Sequence, residues 1–124
     1  METTKDKLIE HLEKLPEVIN EKAEEIYNKR QVYEEQKMVL KTTELRTGIA
    51  VADEVDETGK SKFSNATKRE VETAERLKTN QQYKNLVTES ENLKNDIGTL
   101  SLQLDFLRNK FSAAKSLVRL LTSE

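Results

Sequence analysis

The clearest pattern lies in the last third of the chain. Tyr83, Leu86, Ser90, Leu93, Ile97, Leu100, Leu104, Leu107, Phe111, Ala114, Val118 and Leu121 follow one another in alternating steps of three and four, and all but Ser90 are apolar or aromatic. Such spacing holds one stripe of an α-helix against one partner. It predicts a helix from about Asn80 to Leu121, roughly 60 Å long at 1.5 Å per residue. A helix of that length needs an equally long partner. Gly98 stands outside the stripe, where it costs the helix about 1 kcal/mol relative to alanine.

Upstream, Leu8, Ile9 and Leu12 form a short amphipathic stretch that ends at Leu15-Pro16. Proline suits a first helical turn and breaks an interior. Residues 1–15 are therefore expected to hold a short helix of their own, with a second helix beginning at Pro16. In that helix Ile19, Ile26, Tyr33 and Leu40 recur on one face, while the companion row read beside them, Ala23, Arg30, Lys37 and Glu44, is mostly charged. Long Arg and Lys stems lying along the edge of a hairpin account for such a row, and a role in register or assembly is the alternative. Gly48 is a natural stop, and residues 48–62, with turn formers and no apolar period, read as a loop. Thr67 and Glu70 have the spacing of a capping box, with Phe63 just outside it, which starts a third helix near there. Asn80 either caps a fresh helix or is an exposed polar residue within a continuous one. The expected fold is all-α, a long antiparallel helical hairpin or coiled-coil bundle, with residues 16–124 as its main domain.

Composition sharpens this picture. Leu, Ile, Val and Phe make up a quarter of the 124 residues and 35% are charged, with one Pro and three Gly. The chain is apolar enough to fold, but its stripes are narrow and suit long helices. Leu102, Leu117 and Leu120 lie off the main seam, so a second face of the last helix wants cover, and a homo-oligomer is expected with these three residues at its interface. The absence of Cys excludes disulfides and thiolate metal sites. Residues 1–10 lack the features of a signal peptide and no apolar run reaches membrane-spanning length, so a soluble, cytoplasmic protein is expected.

Enzyme chemistry finds little footing. The one histidine, His11, stands without a partner at metal-binding spacing, and no nucleophile with a positioned base is apparent. Glu pairs such as Glu72 with Glu75 lack the second acidic motif that a magnesium site needs. No catalytic residue, metal or cofactor is expected. Charge, by contrast, is segregated. Residues 1–35 carry 6 positive and 10 negative side chains, residues 51–58 carry 4 negative ones, and residues 59–69 carry 4 positive ones and no acid. Lys41, Arg46, Lys60, Lys62, Lys68 and Arg69, beside Phe63, would converge if the helices meet at the loop. Cations with an aromatic residue and a helix N-terminus suit single-stranded nucleic acid. A second basic group, Arg108, Lys110, Lys115 and Arg119, lines the last helix and complements acidic residues of a neighbouring chain.

The order of these features resembles the recombination mediator family of T-even type phages (UvsY-like). The resemblance rests on Glu34-Glu35-Gln36-Lys37-Met38-Val39-Leu40-Lys41, on an acidic loop containing glycine, on Phe63-Ser64, and on Leu104-Asp105-Phe106-Leu107-Arg108 followed by Lys110 and Ala113-Ala114-Lys115. It spans residues 30–120. It implies an all-helical, ring-forming homo-oligomer that binds single-stranded DNA without a cofactor and helps load a RecA-like recombinase onto DNA covered by single-strand binding protein, in the host cytoplasm. Leu40-Lys41 matches the family's apolar-Lys pair, while Thr42, Thr43 and Glu44 depart from the family's pattern just after it, before Arg46 restores a cation. The reading from a different class is a non-enzymatic coiled-coil scaffold, chaperone or virion assembly protein, for which the heptads suffice.

Overall fold

The computed structural model describes residues 3–123, of which 88% are helical. Three helices follow in order: α1 Thr4–Asp53, α2 Ala66–Thr79 and α3 Gln81–Thr122. The expected all-α architecture is what the chain adopts.

Contrary to the expectation from sequence, Pro16 does not begin a new helix; it lies inside the 50-residue α1. The helix starts instead at a reciprocal cap, with the Asp6 amide donating to Thr3 Oγ1 (3.1 Å) and the Thr3 amide donating to Asp6 Oδ2 (3.2 Å). The bond from the Thr3 amide, followed by hydrogen bonding from the Thr3 side chain, holds the Asp6 carboxyl below the usual carboxylate range. Proline removes the backbone bond that residue 16 would give to the Leu12 carbonyl one turn earlier, at a cost of up to about 3 kcal/mol. The helix continues because Leu12, Leu15 and Ile19 lie on one covered face across that point, with Leu15 buried and Pro16 itself turned to solvent. The expected separate helix is accordingly the first part of α1, from Thr4 onward.

The chain divides into two compact units, one of Met1–Gln31 with Asn95–Glu124 and one of Val32–Lys94. In the first, the covered positions of α1 are Leu8, Leu12, Leu15, Ile19, Lys22, Ala23, Ile26 and Lys29, and those of α3 are Ile97, Leu100, Leu104, Leu107, Phe111, Ala114 and Val118. Leu15, Ile26, Leu104 and Ala114 are the buried centre. The seam runs out at Val118, since Leu121, expected in the core, is 40% exposed.

In the second unit the covered positions of α1 are Tyr33, Gln36, Leu40, Thr43, Thr47 and Val51. Of the companion row Ala23, Arg30, Lys37 and Glu44, only Ala23 is covered; Arg30, Lys37 and Glu44 are exposed. The covered row is Lys22, Lys29, Gln36 and Thr43, three residues after Ile19, Ile26, Tyr33 and Leu40. Two bonds set α1 against α3 here: the Ser90 hydroxyl donates to Gln36 Oε1 (3.1 Å), and the Tyr83 hydroxyl donates to Glu44 Oε1 (2.6 Å). Moving forward along α3 moves backward along α1, so this pair is antiparallel. Ser90 is buried, and its bond to Gln36 replaces an apolar layer by a polar one of fixed register.

α2 lies beside both helices. A groove lined by Gly48, Ala52, Ala66, Thr73, Ala74 and Leu77 separates it from α1, and another lined by Ala74, Leu77, Tyr83 and Val87 separates it from α3. Asn80 resolves the open question at this junction in favour of two helices. Its amide donates to the Leu77 carbonyl (3.1 Å), closing α2, while its Oδ1 accepts from the Tyr83 amide (3.0 Å), opening α3.

Candidate nucleic-acid interface

α1 runs through Gly48, where the sequence suggested a stop, and ends at Asp53. An isolated helix-terminating glycine needs a left-handed backbone, and Gly48 keeps an ordinary φ. The connection is residues 54–65, shifted towards the C-terminus from the expected 48–62. It is a built turn. Val55 and Ser61 form an isolated antiparallel bridge, with the Asp56 amide donating to the Lys60 carbonyl (2.8 Å) and the Lys62 amide donating to the Glu54 carbonyl (2.9 Å). Gly59 takes φ +81°, the left-handed conformation that closes the turn. Asp56 Oδ1 accepts from the Thr58 hydroxyl (2.6 Å), the Thr58 amide (2.8 Å) and the Lys60 amide (3.1 Å). The bond from the Thr58 hydroxyl, followed by the Lys60 amide, holds the Asp56 carboxyl well below its ordinary range.

α2 begins slightly earlier than a Thr67 and Glu70 box would place it. Asn65 is its cap, Oδ1 accepting from the Lys68 amide (2.8 Å), because the chain is still extended at Asn65 and already helical at Thr67. The first turn of α2 holds no acid. Lys68 and Arg69 there oppose the positive end of the helix dipole, each by a few tenths of a kcal/mol. An anion at this end would relieve both.

The six cations expected to act together have different fates. Lys62 Nζ bonds Glu54 Oε1 (3.2 Å) and stands 5.7 Å from the centre of the Phe63 ring. Arg69 Nη1 donates to the Phe63 carbonyl (3.3 Å). Arg69 thereby ties the turn to α2, while Lys62 is engaged within the turn. Lys60 and Lys68 are exposed, and neither makes an ion pair among the described residues. Lys41 and Arg46 are likewise exposed and unpaired, but they sit on α1 about 18 and 10 Å before its end at 1.5 Å per residue. Five residues apart, they point about 140° from one another around the helix axis. Lys60 and Lys62 lie on the turn and Lys68 and Arg69 at the start of α2, with Lys62 and Arg69 both at Phe63; Lys41 and Arg46 lie on different sides of α1.

Arg76 was not anticipated. Its Nη2 bonds Glu54, its Nε donates to Glu72 Oε1 (2.9 Å), and its guanidinium lies 5.8 Å from the Phe63 ring centre. The bond from Arg76, then that from Lys62, lowers the Glu54 carboxyl, and hydrogen bonds to Glu54, then Glu72, raise Arg76. The Glu72 to Arg76 spacing of four was the one sequence signal for this cluster. Phe63, expected as a stacking face, is half-buried with Lys62 and Arg76 over its ring. Electrostatically, the cluster pairs Glu54 with Arg76 and Lys62 and Glu72 with Arg76; Asp56 remains an ionised carboxylate bonded to the Lys60 amide, with Glu57 exposed next to it, while Lys60 and Lys68 make no ion pair among the described residues.

The expected interface leucines lie in the first unit. Leu102 is 73%, Leu117 48% and Leu120 64% exposed, and Phe106, absent from the expected interface, is 66% exposed. Its spacing of four from Leu102 was the available signal. No cluster of three or more His, Cys, Asp or Glu side chains suited to a metal ion occurs among the described residues. None of the described helices is long and apolar enough to cross a membrane. Comparison with protein-family models, with curated proteins and with solved structures found no match to this chain.

Proposed function

We propose that this chain is a self-associating, non-enzymatic helical accessory protein of phage-type DNA recombination or replication, which holds single-stranded DNA through phosphate contacts. The observation that carries the reading is the group of exposed cations at the turn: Lys60 on the turn and Lys68 in the first turn of α2 make no ion pair among the described residues, and of the four acids in residues 51–58 Glu54 is paired with Arg76 and Lys62 and Asp56 is hydrogen-bonded within the turn, while Asp53 and Glu57 stay exposed. Lys41 and Arg46 on α1 extend the path, and Lys62 and Arg69 hold its floor. In this reading the partners are a RecA-like recombinase and single-strand binding protein, for which the family resemblance of residues 30–120 is the support.

The test is binding of the full chain to a labelled oligonucleotide at two or more salt concentrations. Single-strand affinity falls with a log–log slope of about -0.7 per phosphate contact. Replacing Lys41, Lys60 and Lys68 by Ala removes three exposed cations that make no ion pair among the described residues. Affinity should fall similarly for all sequences and the slope should flatten by about 2, with helix content unchanged. Absence of binding by the unmodified chain at low salt refutes the reading. The scaffold reading then takes its place, favoured by the apolar residues exposed on α3.

A further inference from the structure

The exposed apolar residues of α3 form a second stripe. Leu102, Phe106, Asn109, Ala113, Leu117 and Leu120 succeed one another in steps of three and four, all solvent-facing. At 100° per residue this stripe lies about 150° around the helix from the covered seam, so it is a face of its own. Beside it, Val18 and Lys22 of α1 complete a shallow groove with Leu102, Gln103, Phe106 and Leu107. Contiguous apolar surface of this kind marks an association site.

We infer that the occupant is the same stripe of a second copy, laid antiparallel about a two-fold axis near Phe111 and Ser112. Two features select it. The stripe is complementary to its own reverse: Leu102 meets Leu120 of the second copy, Phe106 meets the small Ser116 beside Leu117, and Asn109 meets Ala113. Every layer then has similar width, whereas a parallel pairing stacks Phe106 on Phe106 and leaves Ala113 on Ala113, a bulge next to a void. On one flank the charge is complementary in the same register, whereas on the other Lys110 lies beside its own counterpart next to the axis. Asp105 is the one acid between Gly98 and Ser123, and the antiparallel register puts it opposite Arg119 of the second copy, twice per dimer because the interface is isologous. Both side chains are exposed and unpaired within the described chain. The second copy's Leu120 reaches the groove at Val18, Leu102 and Phe106.

This inference rests on the self-association part of the proposed function and is independent of DNA. Its test is a charge swap in the full chain, read by sedimentation or light scattering over a concentration series. Asp105→Arg and Arg119→Asp should each raise the dimer dissociation constant about tenfold or more, since each loses two pairs and gains two like-charge encounters. The double variant should return to within about threefold of the original. With no native Cys, Asn109→Cys and Ala113→Cys, which face each other beside the axis, should cross-link when the two single variants are mixed and oxidised, while Leu102→Cys alone, facing Leu120, should not. Charge-swap single variants that associate as the original does, a double variant that stays weak with helix content intact, or Leu102→Cys cross-linking as readily as the Asn109→Cys and Ala113→Cys mixture would each overturn the antiparallel face. A chain monomeric at all concentrations overturns it together with self-association, whereas failure of an intact dimer to bind DNA overturns the DNA reading alone.

Discussion

Two leucines two residues apart on α3 provide the sharpest check on how the helices face. Leu104 is 7% exposed and Leu102 is 73% exposed. Truncating Leu104 to Ala removes three buried carbon groups, worth about 0.8 kcal/mol each, or about 2.4 kcal/mol in all. That lies near the lower end of measured Leu→Ala costs, as expected where half-covered neighbours such as Leu100 and Leu107 can close around the gap. An unfolding entropy of about 2.1 cal/mol/K per residue gives roughly 0.26 kcal/mol/K for a chain of 124 residues. The midpoint of thermal unfolding should therefore fall by about 9 °C. Leu102→Ala should move it by no more than about 2 °C at high dilution. Circular dichroism melts of both variants at two concentrations make the measurement, because Leu102 lies on the proposed dimer face and its loss removes only concentration-dependent stability. Equal shifts for the two variants, or a larger one for Leu102→Ala in the dilute sample, would refute the assignment of the two faces.

Other consequences come from single features. Pro16→Ala restores a backbone bond inside α1 and should raise stability by about 1–3 kcal/mol, seen as stronger amide protection over residues 8–20; a neutral or destabilising effect would mean that Pro16 shapes the helix in a way alanine cannot. The bond to Glu44, helped by burial and by the carboxylate charge, pushes the Tyr83 hydroxyl from 10.0 up to about 12. A group whose pKa is raised on folding stabilises fully below its unfolded value, so this contribution is complete below about pH 10 and disappears between about pH 10 and 12. Tyr83→Phe should cost about 1 kcal/mol at neutral pH, after allowing for the exposed carboxylate, and the variant should converge with the original by about pH 12 in denaturant melts. A difference between them that does not change with pH would show that the hydroxyl contact is not what stabilises.

Much of the architecture could be read without coordinates, and α3 shows why. Eleven of its seam positions from Tyr83 to Val118 are covered as the periodicity implies, because an uninterrupted apolar stripe has one favourable solution in water. The exposed Leu102, Leu117 and Leu120 were legible for the same reason, as apolar residues with no place on that stripe. α1 was harder. Its seam places Lys22, Lys29, Gln36 and Thr43 between the apolar layers, and an aliphatic stem or an amide fills such a position nearly as well as a leucine once its polar end finds water or a partner. Pattern alone pointed to the row of Ala23, Arg30, Lys37 and Glu44; the bond from Ser90 to Gln36 shows that α3 meets the other one.

Local rules were overruled where packing outweighed them. A proline costs a helix one bond, and the covered face from Leu8 to Ile26 outweighs that cost. Thr67 with Glu70 and Asn65 were both chemically competent caps, and the backbone, extended at Asn65 and already helical at Thr67, leaves the cap to Asn65. The cations illustrate the same division. Composition along the chain established that positive charge gathers after residue 58, since charge is additive and needs no geometry. Which of those charges remain available depends on distances: Lys62, Arg69 and Arg76 are engaged by Glu54, Glu72 and Phe63, while Lys60 and Lys68 stay open. Periodicity and charge are one-dimensional properties that the amino-acid order already determines. Cap choice, the polar half of a seam and the pairing of ions are contests between nearly equal local options, and only the tertiary structure decided them.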